Sequence, residues 1–448
     1  MESLCLKKML CCGCLLNGGE MVFSSVKKNR YVFSLLSVCA ASANAFADDD
    51  IPQAQINGFA TQGYSQVLSS TENSNLGVMG KGGTFLRDSI FGLNLSYRYN
   101  DDITFYGQLT ASGSDFFTGE ELNYEVQTDM IMLSYHPNDW LDVRIGRQIA
   151  PVWMVSEEID VGLSYPWIRP PTEVYLLGPV KSISGIGADF RYNITDDLLA
   201  TAGVRYGNTP YSVEGAPGHL AIDLSDAFIA YASLDINNSI KVRGAYGQVR
   251  VDSTTTPNLA FTSDGEETLS SYTEYITFRF YSAGVRADVG NFLLISEYAR
   301  SIENFHSISP TVAGDYPAIY STQVADYQGF YATAGYRLSD FTPHITYAMS
   351  HIQYRDMSYG GLASIPLPAP YPDGLIGDVQ ADLASAIQPA EQHTMTLGLN
   401  YNILPTIVLK GQYQYTKVVS GSPILILGPT LNANDRIQSI STAVSLVF

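Results

Sequence analysis

The residues of this 448-residue chain that could act on another molecule are charges at two-residue spacing. Arg98, Arg144, Arg191, Arg205, Lys241, Arg243, Arg279, Arg337 and Lys410 each fall where polar and apolar residues alternate. By that alternation they share a polar side with Asp142, Asp189 and Glu297. Charges so placed can steer and hold ions and dipolar solutes, without making or breaking bonds. An irregular stretch from 151 to 182 adds Glu157, Glu158, Asp160, Arg169 and Glu173, among Trp153, Tyr165, Trp167 and Tyr175. No catalytic signature accompanies them. The sequence has no phosphate-binding glycine loop, no G-x-S-x-G, no H-E-x-x-H and no cysteine pair spaced for a metal. His344 and His351 lie seven apart, on opposite faces of a strand. The expectation is a protein that is not an enzyme and carries no metal or other cofactor.

The elements that must hold these charges are strands. In the last segment Ile440, Val444, Leu446 and Phe448 alternate with Ser439, Ser441, Ala443 and Ser445. That is a strand with one oily face, ending at the carboxy-terminus. The same pattern recurs along the chain. His393, Met395, Leu397, Leu399 and Tyr401 oppose Thr394, Thr396, Gly398 and Asn400, and Phe330, Ala332, Ala334 and Tyr336 oppose Tyr331, Thr333, Gly335 and Arg337. Seven tight turns separate strand pairs: Asn100-Asp101, Pro137-Asn138-Asp139, Thr195-Asp196, Asn237-Asn238, Val289-Gly290, Ser339-Asp340 and Leu404-Pro405. Seven hairpins with a first and a last strand make about 16 strands. The fold class expected is all-β, a transmembrane antiparallel β-barrel whose terminal strand closes the ring. Oily outside and polar inside requires water in the interior.

Long connections alternate with the tight turns, at 69–83, 114–123, 151–182, 208–222, 251–272, 303–325, 355–391 and 419–435. Long loops on one rim and short turns on the other match the external and periplasmic ends of such a barrel. Tyr97, Tyr99, Phe105, Trp140, Tyr192, Phe292, Tyr336, Phe341 and Tyr401 cluster beside the short turns, as an interfacial girdle does. Pro366 to Pro372 cannot extend a sheet.

The front of the chain reads differently. Lys27, Lys28 and Arg30 precede an apolar run from Tyr31 to Ala40 and the A-x-A sites ending at Ala45 and Ala47. This is a secretory signal peptide over 1–47, with 1–20 an upstream extension if Met21 is the start. Residues 48–448 form the barrel domain. All five cysteines precede residue 48. The chain carries 25 Lys+Arg and 44 Asp+Glu, and removing the five basic and two acidic residues of 1–47 leaves a net charge near −22. A chain this acidic lacks the basic footprint that nucleic acid requires.

The run Gly146-Arg147-Gln148 leading into the third long connection, the strand count and the terminal Phe448 resemble the sixteen-stranded general porins of the Gram-negative outer membrane. The resemblance implies a homotrimer whose third loop folds into the barrel, with acids facing basic residues across a constriction. It makes Glu157, Glu158, Asp160 and Glu173 the acidic side, and Arg98, Arg144 and Arg147 candidates for the basic side. Arg147 departs from the Val143/Ile145 alternation, so an inward direction needs a bulge or strand end. The Pro-Glu-Phe-Gly-Gly run of general porins is absent. In its place stands Tyr165-Pro166-Trp167-Ile168-Arg169-Pro170-Pro171. That leaves a second reading open, in which the loop packs on a neighbour or caps the rim. The function expected is passive diffusion of small hydrophilic solutes and ions through the outer membrane. The alternatives are a channel selective for anions, carboxylates or sugars, and a structural or enzymatic barrel. The partners expected are outer-membrane lipid, the solutes and further copies of the chain.

Overall fold

The structure, a computed structural model, describes residues 53–69, 82–114, 121–178, 180–215, 218–252, 258–263, 265–270, 272–309, 319–360, 389–420 and 434–448. Its strands are β1 (Gln53–Val67), β2 (Ile90–Arg98), β3 (Ile103–Ser112), β4 (Val126–Asn138), β5 (Leu141–Ile149), β6 (Ser182–Thr195), β7 (Leu198–Gly215), β8 (Gly218–Ile236) and β9 (Ile240–Asp252). A small hairpin, β10 (Asn258–Ser263) and β11 (Gly265–Ser270), follows. Then come β12 (Tyr272–Val289), β13 (Phe292–Ser309), β14 (Ile319–Tyr336), β15 (Phe341–Gly360), β16 (Ala390–Leu404), β17 (Ile407–Ser420) and β18 (Arg436–Val447). All but β10 and β11 join one closed antiparallel barrel of sixteen strands, in which β9 pairs with β12.

The ring closes where the terminal alternation requires. β1 pairs with β18 from Phe59 opposite Val447 to Val67 opposite Ser439. Past the last rung, the Gly58 N–H donates to the Phe448 carbonyl at 2.7 Å and the Phe448 N–H donates back at 2.9 Å. The Phe448 ring stacks on Phe91 with centroids 6.3 Å apart. A Cβ at Gly58 would sit 2.3 Å from that ring, so closure depends on a bare backbone there.

The pleat sorts side chains as the sequence does. Ile145, Ile186 and Leu397 project outward and exposed, while Thr346, Thr394 and Thr396 are buried on the inner face. Outward apolar side chains in a barrel are stable only against hydrocarbon. At the short-turn end Asn237 and Asn238 take φ of 51° and 52°, the left-handed pair a two-residue hairpin turn needs. The girdle is present there, with Phe341 on Tyr401 at 4.7 Å and Phe292 on Tyr336 at 4.8 Å.

A second ring, nearer the long loops, went unread in the sequence. Outward tyrosines donate to a polar group: Tyr206 to Asp226 at 3.0 Å, Tyr246 to Gln248 at 3.0 Å, Tyr298 to Gln328 at 3.2 Å and Tyr413 to Gln438 at 3.0 Å. Tyr347 pairs with His393 in the same way at 2.6 Å. Amphipathic rings with an apolar body and a satisfied hydroxyl suit a membrane–water boundary.

Three expectations change. The connections at 208–222, 303–325 and 355–391 are partly strand: β7 and β8 continue to Gly215 opposite Gly218, β13 runs to Ser309 and β15 to Gly360. After a single bridge from Thr84 to Ser65 of β1, residues 85–89 leave the sheet, and β2 begins only at Ile90, not directly after the connection at 69–83. The interior is not uniformly wet. Trp153, Tyr175, Leu177, Ile229, Val249, Phe280, Ile295 and Tyr331 belong to one buried apolar cluster. Inward Phe280 and Ile295 are apolar because they meet a loop and not water. Residues 1–47 and the Pro366–Pro372 run lie outside the described residues.

Deleting Phe448, or replacing Gly58→Leu, will lower the yield of folded barrel severalfold by spoiling closure. Heat-modifiable mobility on a gel after refolding in detergent reads this out, and an unchanged yield would contradict the closure described.

Candidate functional site

Loop 3, residues 150–181, fills much of the lumen. Its short 3-10 turns at Ser156–Glu158 and Gly162–Ser164 and its single-turn helix α1 (Thr172–Tyr175) are too brief to stand alone. Tertiary contacts hold them. An aromatic chain crosses the interior from Phe280 to Trp153 (5.9 Å), Tyr175 (5.5 Å), Tyr331 (6.1 Å), Trp167 (5.3 Å) and Tyr165 (5.9 Å). The Trp167 indole N–H donates to Thr333 at 2.9 Å and Thr346 at 3.0 Å on the wall. A Cβ at Gly329 on β14 would lie 1.9 Å from the Glu173 carbonyl, so α1 approaches a strand as closely as glycine allows.

The deepest anchor is Lys410 on β17. Only 2% exposed, its ammonium donates to the carbonyls of Gly162, Tyr165 (2.6 Å) and Trp167 (2.7 Å). Three acceptors satisfy three donors, which is what a buried ammonium needs. The Tyr165 ring lies 5.0 Å away and adds its π-face. Nearby, the Ile168 N–H donates to Gln412 at 3.2 Å.

The loop's charges reach the wall in pairs. Glu157 takes a bidentate bond from Arg243 at 2.8 and 2.9 Å, and Arg243 also donates to the Pro151 carbonyl. Although half exposed to the lumen, Glu157 loses part of its hydration inside the barrel, which opposes its charge; the Arg243 guanidinium outweighs that and holds the carboxyl below its ordinary value. Glu158 faces Arg286 at 3.8 Å. Asp160 meets Lys181 at 2.9 Å, and Lys181 also reaches Asp129 at 3.1 Å. Burial, together with the nearby Asp129 carboxylate, raises the Asp160 pKa despite Lys181. Burial would lower the pKa of Lys181, yet its two carboxylates raise it well above the usual lysine value. Arg169 bonds Asp88, which residues 84–89 turn into the lumen.

On the strands the inward charges also pair. Arg144 bridges Asp142 at 2.7 Å and Asp189 at 2.9 Å. Arg205 holds Asp189 bidentately at 2.7 and 2.8 Å. Lys241 lies 4.0 Å from Asp235, and Arg337 pairs with Asp288. Arg98 and Arg191 line a cavity of about 450 Å³ at the short-turn end, with Asp102, His136 and Asp142. Among the described residues no three His, Cys, Asp or Glu are grouped to hold a metal ion.

Two candidate cations do not reach the lumen. Register sets Arg147 beside Ile131 and Ser184 on the outer face, since its neighbour Gln148 is the buried, inward one. Arg279 is outward too. Phe280 and Ser282 face inward, and the same alternation brings Arg286 inside. Glu173 does reach the interior, but there it is held by Gln392 at 2.9 Å and by Thr394, neutral groups of β16. Arg286, Lys181 and Asp88 were missed. Arg286 and Asp288 with outward Val285 and Ala287 carried the right signal. Phe280 obscured it, being apolar on the inner face.

A closed barrel of sixteen strands with short turns, long loops and a third loop folded inside is the architecture of the outer-membrane porins. Solved structures agree on the fold. OmpF of Salmonella typhi, in complex with daunomycin, superposes with a TM-score of 0.51 at 14% identity, covering 90% of this chain and 99% of that one. OmpT of Vibrio cholerae with loop L8 deleted gives 0.52 at 12%, covering 89% and 100%. The anion-selective porin of Comamonas acidovorans gives 0.50 at 11%, covering 89% and 100%. No protein-family model and no curated protein matches the sequence.

Lys410→Met will leave three buried carbonyls without their donor and destabilise the barrel by about 2–4 kcal/mol. Loop 3 will then fluctuate, so its backbone amides will exchange with deuterium faster than in wild type. Unchanged exchange with unchanged unfolding would refute the anchoring role.

Proposed function

We propose that this protein is a loop-restricted diffusion channel of the outer membrane, passing small hydrophilic solutes and ions without catalysis. The observation that carries the reading is the solvent exposure of charged groups inside the barrel. The Glu157 and Glu158 side chains are 51% and 50% exposed, and Lys241 on the wall is 39% exposed. Arg144 and Arg286 are partly exposed beside them. Ions cannot stay charged in a dry cavity at modest cost, so these groups mark a watered path. The path runs between the free side of loop 3 and the wall, away from the apolar cluster. A field across so narrow an aqueous gap orders dipolar solutes and penalises apolar ones.

In this reading residues 1–47 direct export and are removed, residues 48–448 form the barrel, and three copies assemble. A solute-selective channel for anions is the second reading. Arg98 and Arg191 at the short-turn mouth speak for it, and Asp101, Asp102, Asp139, Asp142 and Asp189, which line the same mouth, speak against it.

Planar-bilayer recording under a salt gradient tests both. Wild type will show discrete conductance steps. The double variant Glu157→Gln, Glu158→Gln frees Arg243 and Arg286, and its reversal potential will move toward that of the anion. Folded, pure protein that never conducts would overturn the channel.

A further inference from the structure

The outer face of β16–β18 carries charges that neither lipid tails nor the barrel accounts for. Lys417 on β17 and Arg436 on β18 are direct cross-strand partners, and His393 on β16 is the partner of Lys417 on its other side. The inward residues of these strands are the buried ones, Gln392, Thr394, Thr416, Val418 and Ile437. Lys417 and Arg436 therefore project outward, and both are exposed. Like charges directly opposite each other on a sheet destabilise it. Neither cation has an acidic partner among the described residues. Glu391, a carboxylate on the same face, is taken by His393 at 2.8 Å and lies 3.9 Å from His351.

Height on the barrel says what meets these charges. From Tyr401 in the short-turn girdle to His393, a strand climbs about 26 Å, or about 20 Å along the membrane normal once tilted. Below the cations lie exposed Leu397, Leu409, Ile440 and Val444. Just below them, the Tyr347 and Tyr413 hydroxyls reach up to His393 and Gln438 in the upper tyrosine ring. The pair thus sits where acyl chains give way to headgroups. Arg offers a bidentate fork and Lys a compact charge, the combination suited to phosphate.

We propose that Lys417 and Arg436 bind a phosphate on the headgroup of an outer-leaflet lipid whose acyl chains cover the apolar strip below. The inference rests on the membrane placement of the barrel but not on conduction. Protein that retains lipid and never conducts would sink the channel and leave this site standing.

The test is retention of lipid A, a phosphorylated glycolipid, by full-length folded protein after detergent washing, measured by native mass spectrometry. Lys417→Gln with Arg436→Gln will lower retention about tenfold or more, since each cation near an anionic lipid surface is worth roughly a factor of five. Each single variant, a smaller perturbation of the fold, will fall between. Arg279→Gln, an outward cation opposite Gln248 and Ile302, will retain lipid as wild type does. Dephosphorylated lipid A will bind poorly to wild type. Equal retention by the double variant overturns the proposal. So does displacement of the lipid by millimolar inorganic phosphate, which would mean a free-anion site. Loss of oligomer with lipid retained would likewise overturn it, by making this face a contact between copies.

Discussion

Everything in this molecule depends on the backbone ladder having no free edge. Against hydrocarbon an unpaired N–H or C=O costs several kcal/mol, and no water is there to relieve it. The two strands farthest apart in sequence therefore have to meet, and β1 and β18 do so over nine register pairs, with Phe448 and Gly58 extending the ladder. Once the ring is closed, each residue's direction follows from the pleat. Exposed Ile, Leu and Phe can then face lipid while Thr, Ser and Gln line the inside.

Loop 3 uses that interior in two ways. Along β8, β9 and β12–β15 it packs as a core does, with the aromatic chain from Phe280 to Tyr165 excluding water. On its other side it presents Glu157 and Glu158 to solvent. The barrel is thus wide enough to hold a dry core on one side of the loop and solvent-exposed charges on the other. Lys410 fixes the loop between the two, gathering three carbonyls from a backbone whose own bonds are confined to isolated short turns.

Much of the fold was legible because lipid imposes a strict period. The alternation in 392–401, the terminal Ile440-to-Phe448 run and the Asn237-Asn238 turn each gave the right strand, face or turn. Legibility failed where the solvent rule failed. Phe280 and Ile295 are inward and apolar because loop 3 covers them, and a period read as oily-outside places Arg279 on the wrong side. Arg147 failed for a different reason. The pleat alone sets its direction, and the loop 3 resemblance pulled it inward against that pleat. Asp88 and Lys181 were hidden because contacts between distant loops leave no spacing in sequence. Glu173 shows the limit of composition: an acid in the right loop can still be spent on Gln392 and Thr394 of the wall.

The charges of loop 3 also serve as fasteners. Glu157 on Arg243 and Arg169 on Asp88 tie the loop to β9 and to the segment before β2, and Lys181, held by Asp160 within the loop, ties it to Asp129 on β4. The same groups set the field a solute would cross. Neutralising one member of a pair frees its partner's charge and loosens one tether, so charge preference and loop order cannot be tuned separately at these positions. Glu158 is the exception. At 3.8 Å from Arg286 and half exposed, it contributes to the field while holding the loop only weakly. If the field inside the barrel can change without disturbing the structure, position 158 is where the geometry permits it.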